Sequence, residues 1–205
     1  TLLNKGLVPS RPVALVDGWR QARDFLDGLI KDNQGIQNLV LDALGGFEFL
    51  CHEYIVNNKF DGIWGHGDQK GFSAFARGYH VSVPEFDKMV SRLERLHETG
   101  VGIVILGHVK TRTHTDPLQG SFDRYEADVH QKTWSVFHRW ADHVLFGSFS
   151  STTKGGVDDT SAEAERVIYT TKRDAYDAKH KGEMPDMIEI PDDPDEAFDR
   201  IFKYL

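Results

Sequence analysis

The chain has 205 residues, 40% hydrophobic and 27% charged, with a formal net charge of −8. That is enough for one large domain with a core of its own, and the wrong sign for a surface that coats nucleic acid over its whole extent. A single cysteine, Cys51, excludes an internal disulfide and fits a reducing, cytoplasmic compartment, while no signal-peptide pattern opens the chain and no apolar run nears the roughly 20 residues of a membrane helix.

The charge is uneven. Residues 186–199 carry seven acids and no base, whereas His108-Val-Lys110-Thr-Arg112-Thr-His114 is locally basic. A local contact with DNA stays open where a general one does not.

In chain order, Pro12 to Val16 reads as a short strand. Asp17 then stands as N-cap of a helix whose apolar face is Trp19, Ala22, Phe25, Leu26, Leu29 and Ile30, stopped at Asn33-Gln-Gly35. Asn38-Leu-Val-Leu41 is a strand ending in Asp42. A helix runs from about Phe47 to Val56. Residues 57–80 form a loop insertion in which Phe60, Trp64, Phe72, Phe75 and Tyr79 alternate with glycines. Its aromatics either stack on bases or pin the loop to the body. Val83 to Thr99 is a helix capped by Gly100. Gly102-Ile-Val-Ile-Leu-Gly-His108 is a second apolar strand with a polar tip. Residues 109–125 read as a polar loop, Ala127 to Ala141 as a helix and Val144 to Phe149 as a strand. Residues 150–165 form a second loop insertion. Arg166 to Thr171 and Met187 to Ile190 are the last strands, and Pro194 opens a terminal helix within 191–205, with Ala197, Phe198, Ile201, Phe202 and Leu205 as its packing face.

Strands and helices alternating in this way give an α/β fold of one domain over 1–205, its mostly parallel sheet lying between helices with antiparallel edge strands at the C-terminal end. Unalternating Val, Ile and Leu suit strands covered on both faces, and ligands bind beyond the carboxyl ends of such strands. Asp42 is there either a carboxylate that orders Mg²⁺ through water or the N-cap of the next helix. His108 is either a phosphate-contacting or water-orienting group or a hydrogen-bonded structural histidine. Lys172-Arg173 and Lys179-His-Lys181 flank Tyr176-Asp177 and either pair with phosphates or form a solvated basic turn. No His-Glu-x-x-His, cysteine pair or Gly-x-Ser-x-Gly is present, which disfavours zinc and serine-hydrolase chemistry. A Gly-x-x-x-x-Gly-Lys-Ser/Thr phosphate loop is also lacking.

Several segments in order carry a resemblance: Leu39-Val-Leu-Asp42-Ala-Leu-Gly-Gly46, Leu50-Cys-His-Glu53, Lys70-Gly-Phe72, Gly78-Tyr79, Gly107-His-Val-Lys110, Asp123-Arg-Tyr-Glu126, His130-Gln-Lys-Thr-Trp134, Trp140-Ala-Asp142 with Val144-Leu-Phe-Gly147, and Arg173-Asp-Ala-Tyr-Asp-Ala-Lys179. Together they resemble the phage-type RecA-like P-loop ATPases, some linked to recombination and single-strand annealing. The resemblance implies a RecA-like core, with ATP and Mg²⁺ as cofactors of the complete protein. It makes Asp42 the Walker B acid and His108 the sensor at the next strand end. It places Lys110, Arg112, His114 and Arg124 on a segment facing single-stranded DNA. Lys172, Arg173, Lys179 and Lys181 are then nucleotide-contacting bases, the last two reaching a neighbour's γ-phosphate in a homo-oligomeric ring or filament. A bacterial or phage-encoded cytoplasmic protein is expected. In that family a phosphate-binding loop precedes the segment that begins here, so the expectation is a chain lacking it and inactive alone. The other reading is a non-catalytic RecA-like remnant that binds DNA or a protein partner.

Overall fold

Trp19, Ala22, Leu26 and Leu29 recur at helical spacing, and in the computed structural model they are the buried face of α1 (Trp19–Lys31). The structure describes residues 16–65, 70–116, 120–150 and 165–204. They fall into two compact units, Thr1–Leu106 and Gly107–Leu205.

The first unit adds β1 (Asn38–Leu41), α2 (Leu44–Lys59), α3 (Arg77–His97) and β2 (Gly102–Ile105). Its core is helical: Cys51, Ile55 and Val56 of α2 and Phe86, Met89, Leu93 and Leu96 of α3 are nearly inaccessible, as are Trp19, Leu26 and Phe72. Burial of each large apolar side chain is worth about 1.5–3 kcal/mol. Trp19 meets the Phe86 ring edge-on at 5.6 Å, and its indole N–H donates to Glu85. β1 and β2 pair in parallel, Asn38 opposite Gly102 and Leu41 opposite Ile105. A Cβ at Gly102 would stand 2.2 Å from the Asn38 side-chain oxygen, so glycine lets the strands begin their pairing there.

The second unit opens with an antiparallel hairpin, β3 (Val109–Asp116) and β4 (Gly120–Ala127). α4 (Gln131–Trp140) follows, capped by the His130 ring accepting the Lys132 N–H at 3.2 Å. β5 (Phe146–Ser150), β6 (Glu165–Tyr169) and β7 (Met187–Ile190) make an antiparallel sheet in that order. α5 (Pro194–Phe202) has Pro194 in its first turn, and the Asp193 carboxylate caps Asp195 and Glu196.

The α/β class and the antiparallel pairing of the last strands agree with the sequence. Several details differ. Among the described residues the strands form three separate sheets, and only β1–β2 is parallel. β1 is not covered on both faces: Val40 is 53% exposed. Gly18, not Asp17, is the N-cap of α1, with no side-chain cap; the Asp17 N–H donates to the Gln21 side chain. α3 starts at Arg77 and runs through Pro84, where the proline costs one helical hydrogen bond without ending the helix. The described residues within 109–125 are paired strands rather than a loop, because threonines and charged residues alternate along β3 with the period of a strand. That alternation carries no apolar signal, so it reads as loop. α4 starts late because Ala127 still belongs to β4. None of the described α5 residues is buried, and Phe198 and Phe202 stack on each other at 4.1 Å instead. The expected strand at Pro12–Val16 and most of the 150–165 insertion lie outside the described residues.

Much of the 57–80 segment is pinned rather than free. Phe72 is buried and its ring meets those of His52, Phe60, Trp64 and Tyr79 within 4.9–5.8 Å. Gly65 and Gly71 approach so closely that a Cβ on Gly71 would lie 2.5 Å from the Gly65 Cα.

Candidate functional site

Backbone hydrogen bonds clamp the carboxyl ends of β1 and β2. The Leu106 N–H donates to the Leu41 carbonyl at 2.9 Å, and the Leu44 N–H donates to the Leu106 carbonyl at 2.8 Å. Asp42 is held between these anchors, exposed. The helix that follows is not capped by it: Ala43 is the N-cap of α2 and no side chain caps it. Among the described residues no hydrogen bond or ion pair engages the Asp42 carboxylate. The N-cap reading of Asp42 is therefore not realised, and an accessible carboxylate at a strand terminus is what remains.

His108 stands exposed in the second unit, just before β3. Its carbonyl accepts the Asp128 N–H at 2.8 Å, which closes the base of the hairpin.

The hairpin brings four sequence-selected residues to one face. Strand alternation puts Lys110, Arg112 and His114 on the same side, and the register sets Arg124 directly opposite Arg112. That face is not purely basic. Lys110 pairs with Asp128 at 2.8 Å, while Glu126 serves both Arg112 at 3.4 Å and His114 at 2.9 Å. The Lys110 ammonium, with smaller help from His108 and Arg112, holds the Asp128 carboxyl below its usual range. Glu126 and Asp128 thus cancel much of the positive charge read along β3. Neither stands out in the sequence, since their pairing needs the hairpin register.

The late bases lie on the segment after β6. Lys172 is exposed. Arg173 pairs with Asp186 at 3.2 Å. Lys179 exchanges backbone hydrogen bonds with Val144, and Lys181 pairs with Asp142. His143, beside them in sequence, has its pKa lowered by burial and then by the charges of His180, Lys181 and Lys179, against Asp142. These bases share one segment; among the described residues Arg173 and Lys181 are paired with carboxylates, while Lys179 is fixed through its backbone.

Neither Lys110–Arg124 nor Lys172–Lys181 makes a metal centre. Among the described residues no cluster of three or more His, Cys, Asp or Glu could hold an ion. Mg²⁺ keeps most of its waters and takes one carboxylate plus substrate phosphates, so it needs no such cluster. Asp42 fits the single-carboxylate role.

An α/β unit with parallel strands clamped at their carboxyl ends, and a carboxylate presented there, has the makings of a nucleotide-binding domain. A family model described as "AAA domain" matches residues 7–181, most of the chain. The chain belongs to that family, which places it among P-loop, ATPase-like nucleotide-binding domains. No curated protein and no solved structure matches it. No helix among the described residues is long and apolar enough to cross a membrane.

Proposed function

We propose that the chain is a RecA-like ATPase domain of phage type that acts on DNA, in recombination or single-strand annealing. The observation that carries this reading is the exposed Asp42 carboxylate at the carboxyl end of β1, without a partner among the described residues, in a chain of the AAA domain family. Asp42 would order the waters of Mg²⁺, and Lys172, Arg173, Lys179 and Lys181 would meet nucleotide phosphates, the last two in a neighbouring copy. His108, at the base of the hairpin, would join the state of the phosphate to the strands that follow it. The face bearing Lys110, Arg112, His114 and Arg124 would take single-stranded DNA. Mg²⁺ bound with ATP offsets phosphate charge and polarises the bond that breaks.

The 205 residues hold no Gly-x-x-x-x-Gly-Lys-Ser/Thr, so they supply the carboxylate and the distal cations without the loop that grips phosphates. Residues 1–205 alone are expected to show no magnesium-dependent ATP turnover. The same absence favours a second reading, a non-catalytic RecA-like remnant that binds DNA or a protein partner. A Gly-x-x-x-x-Gly-Lys-Ser/Thr encoded upstream of Thr1 would favour the ATPase.

The deciding experiment is ATP hydrolysis by the complete protein with and without Asp42→Asn. Loss of at least about 10²-fold in turnover is expected, on the scale of removing a charge-stabilising group. Turnover that survives the substitution would sink the assignment of Asp42.

A further inference from the structure

We propose that Phe122, stacked on His114 at the cationic face of the β3–β4 hairpin, is where an unpaired nucleobase stacks, so that this face takes single strands in preference to duplex. The inference rests on the reading of that face as the one that meets DNA, and it names the residue that selects the kind of strand.

Strand alternation sorts the hairpin into two faces. Lys110, Arg112 and His114 of β3 share one with Phe122, Arg124 and Glu126 of β4. Thr111, Thr113 and Thr115 share the other with Ser121, Asp123 and Tyr125. This second face is the one that leans on the rest of the unit. The Tyr125 ring lies 5.3 Å from that of Phe146, which is buried, and the Tyr125 N–H donates to the Ala175 carbonyl at 2.7 Å. The face with Phe122 is turned away from that contact.

Phe122 is half-buried rather than part of the core. It stands directly across the strand pair from His114, the rings 6.0 Å apart and inclined by only 22°. His114 is held in turn by its hydrogen bond to Glu126 at 2.9 Å, and its side chain is still 47% exposed. Two near-parallel rings fixed in this way form a platform with little rotamer freedom left to lose on binding. Stacking of a base on an aromatic ring needs only such a π-face and tolerates any base.

The charges around the platform decide what it takes. Glu126 and Asp128 offset much of the charge of Lys110, Arg112 and Arg124, so attraction to phosphate alone is modest. Duplex DNA offers dense phosphate charge but keeps its base faces stacked on one another, and it gains least here. A single strand adds a stacked base to the same phosphate contacts. The ligand class is a strand with unpaired bases.

The test is fluorescence titration of the complete protein with oligothymidylate, with an abasic oligomer of the same length and with duplex DNA of that length. Phe122→Leu keeps an apolar side chain and removes the ring. It should weaken oligothymidylate binding about five- to tenfold, the lower end of the loss of one base–aromatic stack. Binding of the abasic oligomer and the duplex should not change, and neither should the salt slope, because no charge is altered. Phe122→Trp keeps a ring and should bind oligothymidylate at least as tightly as the parent, which separates stacking from folding. An unchanged affinity with Phe122→Leu, an equal loss on the abasic oligomer, or an equal loss with Phe122→Trp would overturn the inference. Binding that falls with Arg112→Ala but not with Phe122→Leu would remove this inference and leave the hairpin facing DNA. Oligothymidylate binding indifferent to both substitutions would remove both.

Discussion

The Glu85 carboxylate accepts the Trp19 indole N–H at 3.1 Å and joins the middle of α3 to the first residue of α1. It also takes Arg23 at 3.0 Å and Lys88 at 2.7 Å. Burial alone would raise its pKa. The hydrogen bonds from Lys88 and Trp19, with the charges of Lys88 and Arg23, outweigh burial, and the net displacement is downward. A carboxyl depressed in the folded state contributes stability above its unfolded value of about 4.3 and loses it as pH falls through the folded value. Glu85→Gln should therefore cost about 1–3 kcal/mol at neutral pH. The gap from the parent should shrink as pH falls below that unfolded value and Glu85 itself takes up a proton. Urea unfolding of both proteins across that range is the check; a gap independent of pH would remove the charge from the account.

Gly78 is the second residue of α3, where alanine is ordinarily the better helix former by about 1 kcal/mol. Here the sign should reverse. A Cβ would sit 2.2 Å from the Phe72 ring, which is 1% exposed, and that ring cannot swing aside without leaving the cluster of His52, Phe60, Trp64 and Tyr79. Gly78→Ala should lower stability by about 1–3 kcal/mol, the usual cost of overpacking. It should also shift the emission of Trp64, whose ring lies 5.5 Å from Phe72. A stabilised variant with unshifted emission would show that Phe72 has room to move.

Asp42→Asn separates function from folding in the opposite way. The carboxylate caps no helix and has no partner among the described residues, so its loss should change stability by no more than about 0.5 kcal/mol. Thermal melting of the variant checks this. A large drop would mean that Asp42 is structural, and any accompanying loss of nucleotide turnover would then say nothing about a metal.

The strong periodic helices were legible from apolar spacing alone, because a face such as Trp19, Ala22, Leu26 and Leu29 has few other ways to be buried. The two apolar strands were legible in composition and do pair in parallel as β1 and β2, but β2 ends at Ile105, short of His108, and Val40 of β1 is exposed rather than covered. What sequence hid was structure made by polar residues. β3 has threonines on one face and cations on the other, so its period-2 pattern carries no hydrophobic contrast. Pro84 and the aromatic-glycine stretch before it looked like punctuation, whereas Gly71 and Gly78 are there for close approach to Gly65 and Phe72. At the candidate sites, Asp42 and the late bases stand out by residue type alone. Glu126 and Asp128 do not, because their pairing depends on a register that brings together residues distant in sequence.

Glu126 gives the sharpest test of the hairpin. It lies on the same face as Lys110, Arg112 and Arg124, pairs with Arg112 and is hydrogen-bonded to His114. Exposed ion pairs of this kind add about 0–1 kcal/mol to folding, so a phosphate that replaces Glu126 on Arg112 displaces little. If this face takes single-stranded DNA, Glu126→Gln should tighten binding of an oligothymidylate by about two- to fivefold, the equivalent of that exposed pairing energy. Arg112→Ala should weaken it and reduce the slope of log affinity against log salt by about 0.7, the value for one phosphate contact on a single strand. Arg112 is exposed and Glu126 half-buried, and backbone pairing holds β3 on β4, so neither variant should disturb the hairpin. Fluorescence titration of the complete protein at several salt concentrations measures affinity and slope together. Tighter binding with Glu126→Gln and a shallower slope with Arg112→Ala would place the strand on this face. An affinity indifferent to both would move the contact elsewhere in the protein.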